Sequence, residues 1–187
     1  IPRFDAPARH RLHGVLFAIE PRATANFHEP VYVFPDTKPR QVLVAVRGAE
    51  ENLALKVRLK ASAGWTITPE SHDVSLRRKG DENIVAFTVT PPKTKADARV
   101  AIELENGGPL AAMSRVTIDY DHIPPQVYHV PASTRFVRDD LRRIGSRIGY
   151  IEGSGHDVPE ALEQCGYQIV TLSDEYLAIS DLAGIDA

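Results

Sequence analysis

Leu53-Ala54-Leu55-Lys56-Val57-Arg58-Leu59-Lys60 decides the fold. Large aliphatic residues hold every second position, and Ala, Lys and Arg hold the others. Successive side chains of a strand point to opposite faces, so this stretch makes a strand with one apolar face and one wet face. The same period recurs on both sides of it. Val42, Val44 and Val46 share a face within 41–47, as do Val85, Phe87 and Val89. Val100, Ile102 and Leu104 alternate with Arg99, Ala101 and Glu103, and a last run carries Ala112, Ser114, Val116, Ile118 and Tyr120. Turn-forming residues separate the runs: Arg47-Gly48, Ala63-Gly64, Lys79-Gly80-Asp81, Pro91-Pro92 and Asn106-Gly107-Gly108. The pattern predicts a mainly β chain, with an antiparallel, immunoglobulin-like β-sandwich over 31–121. The Cys–Trp–Cys pattern of true immunoglobulin domains is absent, because Cys165 is the only cysteine. The core therefore rests on aliphatic burial, for which a sandwich of about 95 residues is large enough.

The chain of 187 residues carries 22 basic and 25 acidic side chains, a net charge of −3. A nucleic-acid binder or a polybasic membrane protein needs a concentrated positive field, so neither partner is expected. A hydrophobic content of 43% with 25% charged residues fits a globular chain rather than a disordered one. No apolar run approaches the roughly 20 residues of a membrane-spanning helix. A lone cysteine allows neither an internal disulfide nor a cysteine-based zinc cage. The start, Ile1-Pro2-Arg3-Phe4-Asp5, has no Met and no signal peptide, and reads as that of a processed or excised piece.

Three further segments flank the sandwich. Residues 1–30 read as irregular, punctuated by Pro2, Pro7, Pro21 and Pro30, with one apolar run, Val15-Leu16-Phe17-Ala18-Ile19, of strand character. Residues 122–146 read as a connector and helix. His122-Ile123-Pro124-Pro125 and Pro131 stiffen the connector, Ser133 or Thr134 caps the helix, and Val137, Leu141 and Ile144 form its stripe up to Gly145. In 147–187, Arg147-Ile148-Gly149-Tyr150-Ile151 is a strand, followed by the loop Glu152-Gly153-Ser154-Gly155-His156. Asp157 then caps a helix, with Pro159 in its first turn and Glu160 in capping-box position. Ala161, Leu162 and Cys165 supply its buried face and Gly166 its end, before a second strand, Gln168-Ile169-Val170-Thr171-Leu172. Strand, helix and strand at this spacing make a parallel βαβ unit. Parallel sheets need more strands and cover on both faces. The segment 147–187 is thus an incomplete α/β piece, expected to lie against the sandwich, the 135–145 helix or the same segment of a second copy in a homo-oligomer.

Two stretches carry a family resemblance. Gly64-Trp65-Thr66-Ile67-Thr68-Pro69, the Leu76…Lys79-Gly80 turn and Phe87-Thr88-Val89-Thr90-Pro91-Pro92 resemble a NEW3-type sandwich domain. Ile118-Asp119-Tyr120-Asp121-His122-Ile123-Pro124-Pro125-Gln126, with the run from Ile148 to Leu162, resembles the C-terminal half of large bacterial PIG-L (LmbE-like) deacetylases, where a sandwich precedes a glutamine-amidotransferase-like domain. The resemblance covers residues 31–187, most specifically 118–172. It implies a zinc-dependent N-deacetylase of sugar-linked acetamides as parent polypeptide, and a periplasmic or extracellular location. The family's zinc signature, a His-Pro-Asp-Asp run with a distant His, has no counterpart in this chain. Zinc is implied for the catalytic domain alone, and no cofactor or metal for these residues.

The candidate sites are few. Gly153, Ser154, Gly155, His156 and Asp157 sit between a parallel strand and a helix start, where free N–H groups attract anions. They lack the Gly-x-Gly-x-x-Gly spacing and the P-loop Lys, and the same residues suffice to turn the chain and cap a helix. Trp65 is a candidate glycan platform, with core packing as its alternative. Cys165, inside a helix and before Gly166, reads as a small buried hydrophobe rather than a nucleophile. His10 and His13 share no helical face, and the pairs at 28–29, 72–73, 121–122 and 156–157 diverge on extended backbone, so no zinc site with three converging ligands is expected. Arg135, Arg138, Arg142, Arg143 and Arg147, with Asp139 and Asp140, read as a solvated helix face. The reading that results is a non-catalytic accessory region, partnered by the catalytic domain of its parent chain and by glycan. The alternatives are a small-molecule or anion-binding enzyme fragment built on the 152–157 loop, and a protein-interaction module.

Overall fold

The computed structural model describes residues 20–120, 122–153, 157–172 and 185–186. The chain is mainly β, and two packed sheets form a sandwich. One sheet contains β1 (Ala23–Phe27), β3 (Arg40–Gly48), β5 (Thr66–Thr68), β7 (Glu82–Thr90), β10 (Met113–Ile118) and β11 (Gln126–Pro131), in the order β11-β10-β1-β3-β7-β5. The other contains β2 (Val31–Phe34), β4 (Leu53–Lys60), β6 (His72–Leu76), β8 (Ala96–Glu105) and β12 (Ser133–Arg138), in the order β2-β12-β8-β4-β6. A short β9 (Pro109–Leu110) pairs with β8. Most pairs are antiparallel, but β1 runs parallel to β10 and β2 parallel to β12.

The period-2 residues meet between the sheets. Val42, Val44, Val46, Phe87 and Val89 from the first sheet, and Leu55, Val57, Val100, Ile102 and Leu104 from the second, are all buried. Each such side chain contributes about 1.5–3 kcal/mol by leaving water. The polar positions between them face out, and on β4 they pair across strands. Lys56 meets Asp73 at 3.1 Å, Arg58 meets Glu105 at 2.9 Å and Lys60 meets Glu103 at 3.1 Å.

Residues 133–138 form β12, not a helix. Thr134, Phe136 and Arg138 point inward from it, while Leu141 and Ile144 stay outside, Ile144 at 96% exposure. Pairing with β2 and β8 outweighs the chance helical spacing of Val137, Leu141 and Ile144. The segment before residue 31 is also not wholly irregular, since β1 lies in the middle of the first sheet, with Ala23 and Ala25 buried. The apolar run 15–19 lies outside the described residues.

The parallel unit forms. The strands β13 (Arg147–Ile151) and β14 (Gln168–Leu172) pair from Arg147↔Gln168 to Ile151↔Leu172, with α1 (Val158–Gln164) between them in sequence. Gly149 lets Leu172 pack close, because a Cβ would stand 2.7 Å from Leu172 Cδ1 and the Leu172 side chain would have to shift. Gly166 follows the helix at φ +92°, the left-handed conformation that ends helices and suits glycine. The expected capping box is missing, as the Asp157 side chain makes no cap hydrogen bond. Nor does α1 have a buried face: Ala161 is exposed, and Leu162 and Cys165 are half-buried.

Candidate functional site

Of the expected ligand loop, Gly153 and Asp157 are described, while Ser154, Gly155 and His156 lie outside the described residues. Among the described residues, none beyond its chain neighbours comes within 4 Å of where a Gly153 Cβ would be.

The best-defined polar arrangement in this part of the chain lies one helix further on. The last turn of α1 sets Gln164 against the edge strand β2. Its Oε1 accepts the Val33 amide at 2.9 Å and an N–H of Arg40 at 3.0 Å, and its Nε2 donates to Glu29 Oε2 at 3.4 Å. Arg40 also donates to the Val33 carbonyl at 3.1 Å, and its guanidinium lies 5.6 Å from the centre of the Tyr32 ring. Burial raises the pKa of the Tyr32 hydroxyl, which accepts the Glu29 amide at 3.2 Å and donates to the Leu43 carbonyl at 3.4 Å. A groove of about 340 Å³ runs along this joint, with Glu29, Pro39, Arg40, Glu160 and Gln164 among its walls. The side chains of the joint engage one another, so its chemistry is that of a fastening rather than of catalysis. Sequence reasoning missed Glu29, Arg40 and Gln164. A polar residue in the last turn of a short helix carries no periodic signal, and its partners lie more than a hundred residues away.

Trp65 packs edge-on against Phe34 and Phe136, with ring centres 5.0 and 5.3 Å apart. It is half-buried and extends the aromatic cluster at one end of the core. Cys165 is the C-cap of α1. His72 Nε2 lies 2.9 Å from the Ala86 carbonyl, and its ring meets Phe87 edge-on, while His122 stacks on Tyr120. His10 and His13 lie outside the described residues. Among the described residues, no three His, Cys, Asp or Glu side chains converge as a zinc site requires. The described residues do not fit the zinc chemistry that the resemblance implies.

No family model matches the chain, and no curated protein matches it. Several solved structures resemble it at low identity. An MSP family member of C. elegans is 11% identical with a TM-score of 0.36, over 62% of this chain and 97% of that one. A CARDB domain from Pyrococcus furiosus is 16% identical with a TM-score of 0.39, over 64% of this chain and 92% of that one. A non-cellulosomal cohesin from Archaeoglobus fulgidus is 8% identical with a TM-score of 0.36, over 63% of this chain and 91% of that one.

Proposed function

We propose that this chain is a non-catalytic accessory region of a PIG-L-type, zinc-dependent N-deacetylase, exported to the periplasm or beyond, which positions the catalytic domain and contacts glycan. The observation that supports this reading is the contrast between its two parts. The sandwich has a closed core of its own. The parallel pair β13–β14 has a single buried residue among those described, Leu172, and Ile151 and Val158 beside it are 54% and 47% exposed. Parallel strands are normally covered on both faces. A pair so thinly covered, yet fastened to a rigid sandwich through Gln164, suits a platform for a larger α/β body.

Two results test the proposal. The coding sequence on the Ile1 side is expected to encode a His-Pro-Asp-Asp run, and a start codon without one overturns the assignment. The purified 187-residue chain is expected to show no zinc-dependent release of acetate from an N-acetylated amino sugar, and turnover by it alone overturns the non-catalytic role.

A further inference from the structure

The outer faces of the two sheets treat their cations differently. On β4 every Lys and Arg meets a carboxylate. On the first sheet Arg47 and Arg115 meet none among the described residues, and they stand on either side of β1. Arg47 is the cross-strand neighbour of Thr24, and Arg115 is that of His129 on β11. The Arg115 backbone is pinned on both sides by Asn26, whose Nδ2 donates to its carbonyl at 3.0 Å and whose Oδ1 accepts its amide at 3.1 Å. One intervening strand separates the two backbones by about 10 Å, a span two arginine side chains can close upon one small group.

These residues share a cleft of about 370 Å³, whose lining includes Glu20, Thr24, Arg47, Lys79, Arg115 and His129. The Lys79-Gly80 turn is latched over it, with the Gly80 amide on the Gly48 carbonyl at 2.8 Å and the Gly48 amide on the Asp81 carbonyl at 3.0 Å. Lys79 has no ion-pair partner among the described residues either. Thr24 forms a floor that is 7% exposed. The Nε2 of His129 is enclosed yet has no hydrogen-bond partner among the described residues, and an enclosed polar atom normally has one. Glu20 is the one carboxylate in the lining, and Glu82 stands in the adjoining hollow that Arg47 and Arg115 also border. Three cations, a hydroxyl and an imidazole with an open nitrogen thus outnumber the acidic groups. Paired guanidinium forks are the arrangement that planar and tetrahedral oxyanions bind best.

We propose that this cleft binds an oxyanion through Arg47 and Arg115, with Lys79 adding charge from the turn and His129 a further hydrogen bond. The ligand is a phosphate, sulfate or carboxylate group, free or carried on a body the size of a sugar. The inference stands apart from the accessory role and holds or fails without it.

Titration of the full chain with inorganic phosphate and, separately, with a hyaluronan tetrasaccharide distinguishes a free ion from a carried one. Amide NMR shifts of Thr24, Gly80, Arg115 and His129 are expected to move with at least one probe, and added salt is expected to weaken the effect. Arg47→Gln and Arg115→Gln are each expected to weaken binding about tenfold, while Lys60→Gln, on the opposite sheet, leaves it unchanged. The proposal is overturned if neither probe moves these amides in the unaltered chain. Undiminished binding by the double arginine variant, with its amide spectrum still dispersed, overturns it as well.

Discussion

Gln164 accepts the amide of Val33 at 2.9 Å, across 131 positions of sequence. Val33 lies on β2, the edge of its sheet, and an edge strand offers unpaired N–H and C=O groups to any strand that arrives. Both outward groups of Val33 are occupied, the N–H by Gln164 and the C=O by Arg40. One amide side chain therefore fastens the parallel unit to the sandwich and blunts the sandwich's own edge.

Gln164→Ala is expected to cost about 1 kcal/mol, the net value of an ordinary hydrogen bond. The clearer readout is amide exchange. The Val33 amide should exchange faster in the variant, and 148–172 should lose protection while 85–104 keeps it. In the unaltered chain 148–172 is already expected to be the less protected of the two, because opening it disrupts few buried contacts. Equal protection of the two regions in a monomer contradicts this account.

Phe87 is fully buried on β7 and touches His72 of the facing sheet. Phe87→Ala is expected to lose about 3–5 kcal/mol, the range for emptying a buried Phe site. Chemical denaturation measures it, and a loss below about 1 kcal/mol would mean that the strand does not face the core.

Arg138 is 4% exposed, and its Nη2 donates to Asp140 Oδ1 at 2.7 Å while Nε and Nη1 have no partner among the described residues. Removing the carboxylate takes away the direct ion-pair partner of an enclosed charge and leaves Asp139 as the nearby acid, so Asp140→Ala should cost roughly 1–3 kcal/mol. Arg138→Met removes the charge and keeps the bulk, and should be close to neutral or stabilising. Equal losses in the two variants, measured by urea denaturation, would refute the argument.

Asp186 holds the start of β13, accepting the amides of Ser146 at 2.6 Å and Arg147 at 2.9 Å. These bonds to the carboxylate, Ser146 first, lower its pKa below the ordinary 3.8. A carboxyl more acidic in the folded state than in the unfolded one stabilises above the unfolded value. That stabilisation fades as pH falls from about 3.8 through the folded value. Protection of the Ser146 and Arg147 amides should accordingly drop on acidification in this window. Asp186→Asn should show the lower protection already at neutral pH, and a pH-independent difference of zero would contradict the assignment.

The strands with a pure aliphatic face were readable because alternation and burial carry the same information. Val42, Val44 and Val46 cannot sit on a helix face together, and β3 follows directly. β1 was not readable, since its inward residues are two alanines and a Phe, too small a signal between Pro21 and Pro30. β12 failed for the opposite reason. Its third inward residue is Arg138, a charge where the pattern demands an apolar side chain, and the partners that make that position tolerable are set only by the fold. The strand–helix–strand spacing of 147–172 led correctly to a parallel strand pair. The joint through Gln164 and the arginine pair across β1 depend on strand order, which no local spacing encodes.

The two parallel ladders of the sandwich also bear on the order in which it can assemble. β2 must wait for β12, whose residues Arg135 to Arg138 are its partners, whereas β1 pairs with β3 and meets β10 later. A chain leaving the ribosome can pair β3 with β1 and β7, β7 with β5, and β4 with β6 and β8 early, but β2 finds no neighbour until residue 138 has emerged. Contacts of such long sequence separation fold slowly, because loop entropy is lost before the pairing rewards it. A piece ending at 121 would lack β11 and β12 together, leaving β2 without a neighbour and Phe34 without Phe136. The sandwich is therefore complete only when the chain extends to Arg138, the end of β12.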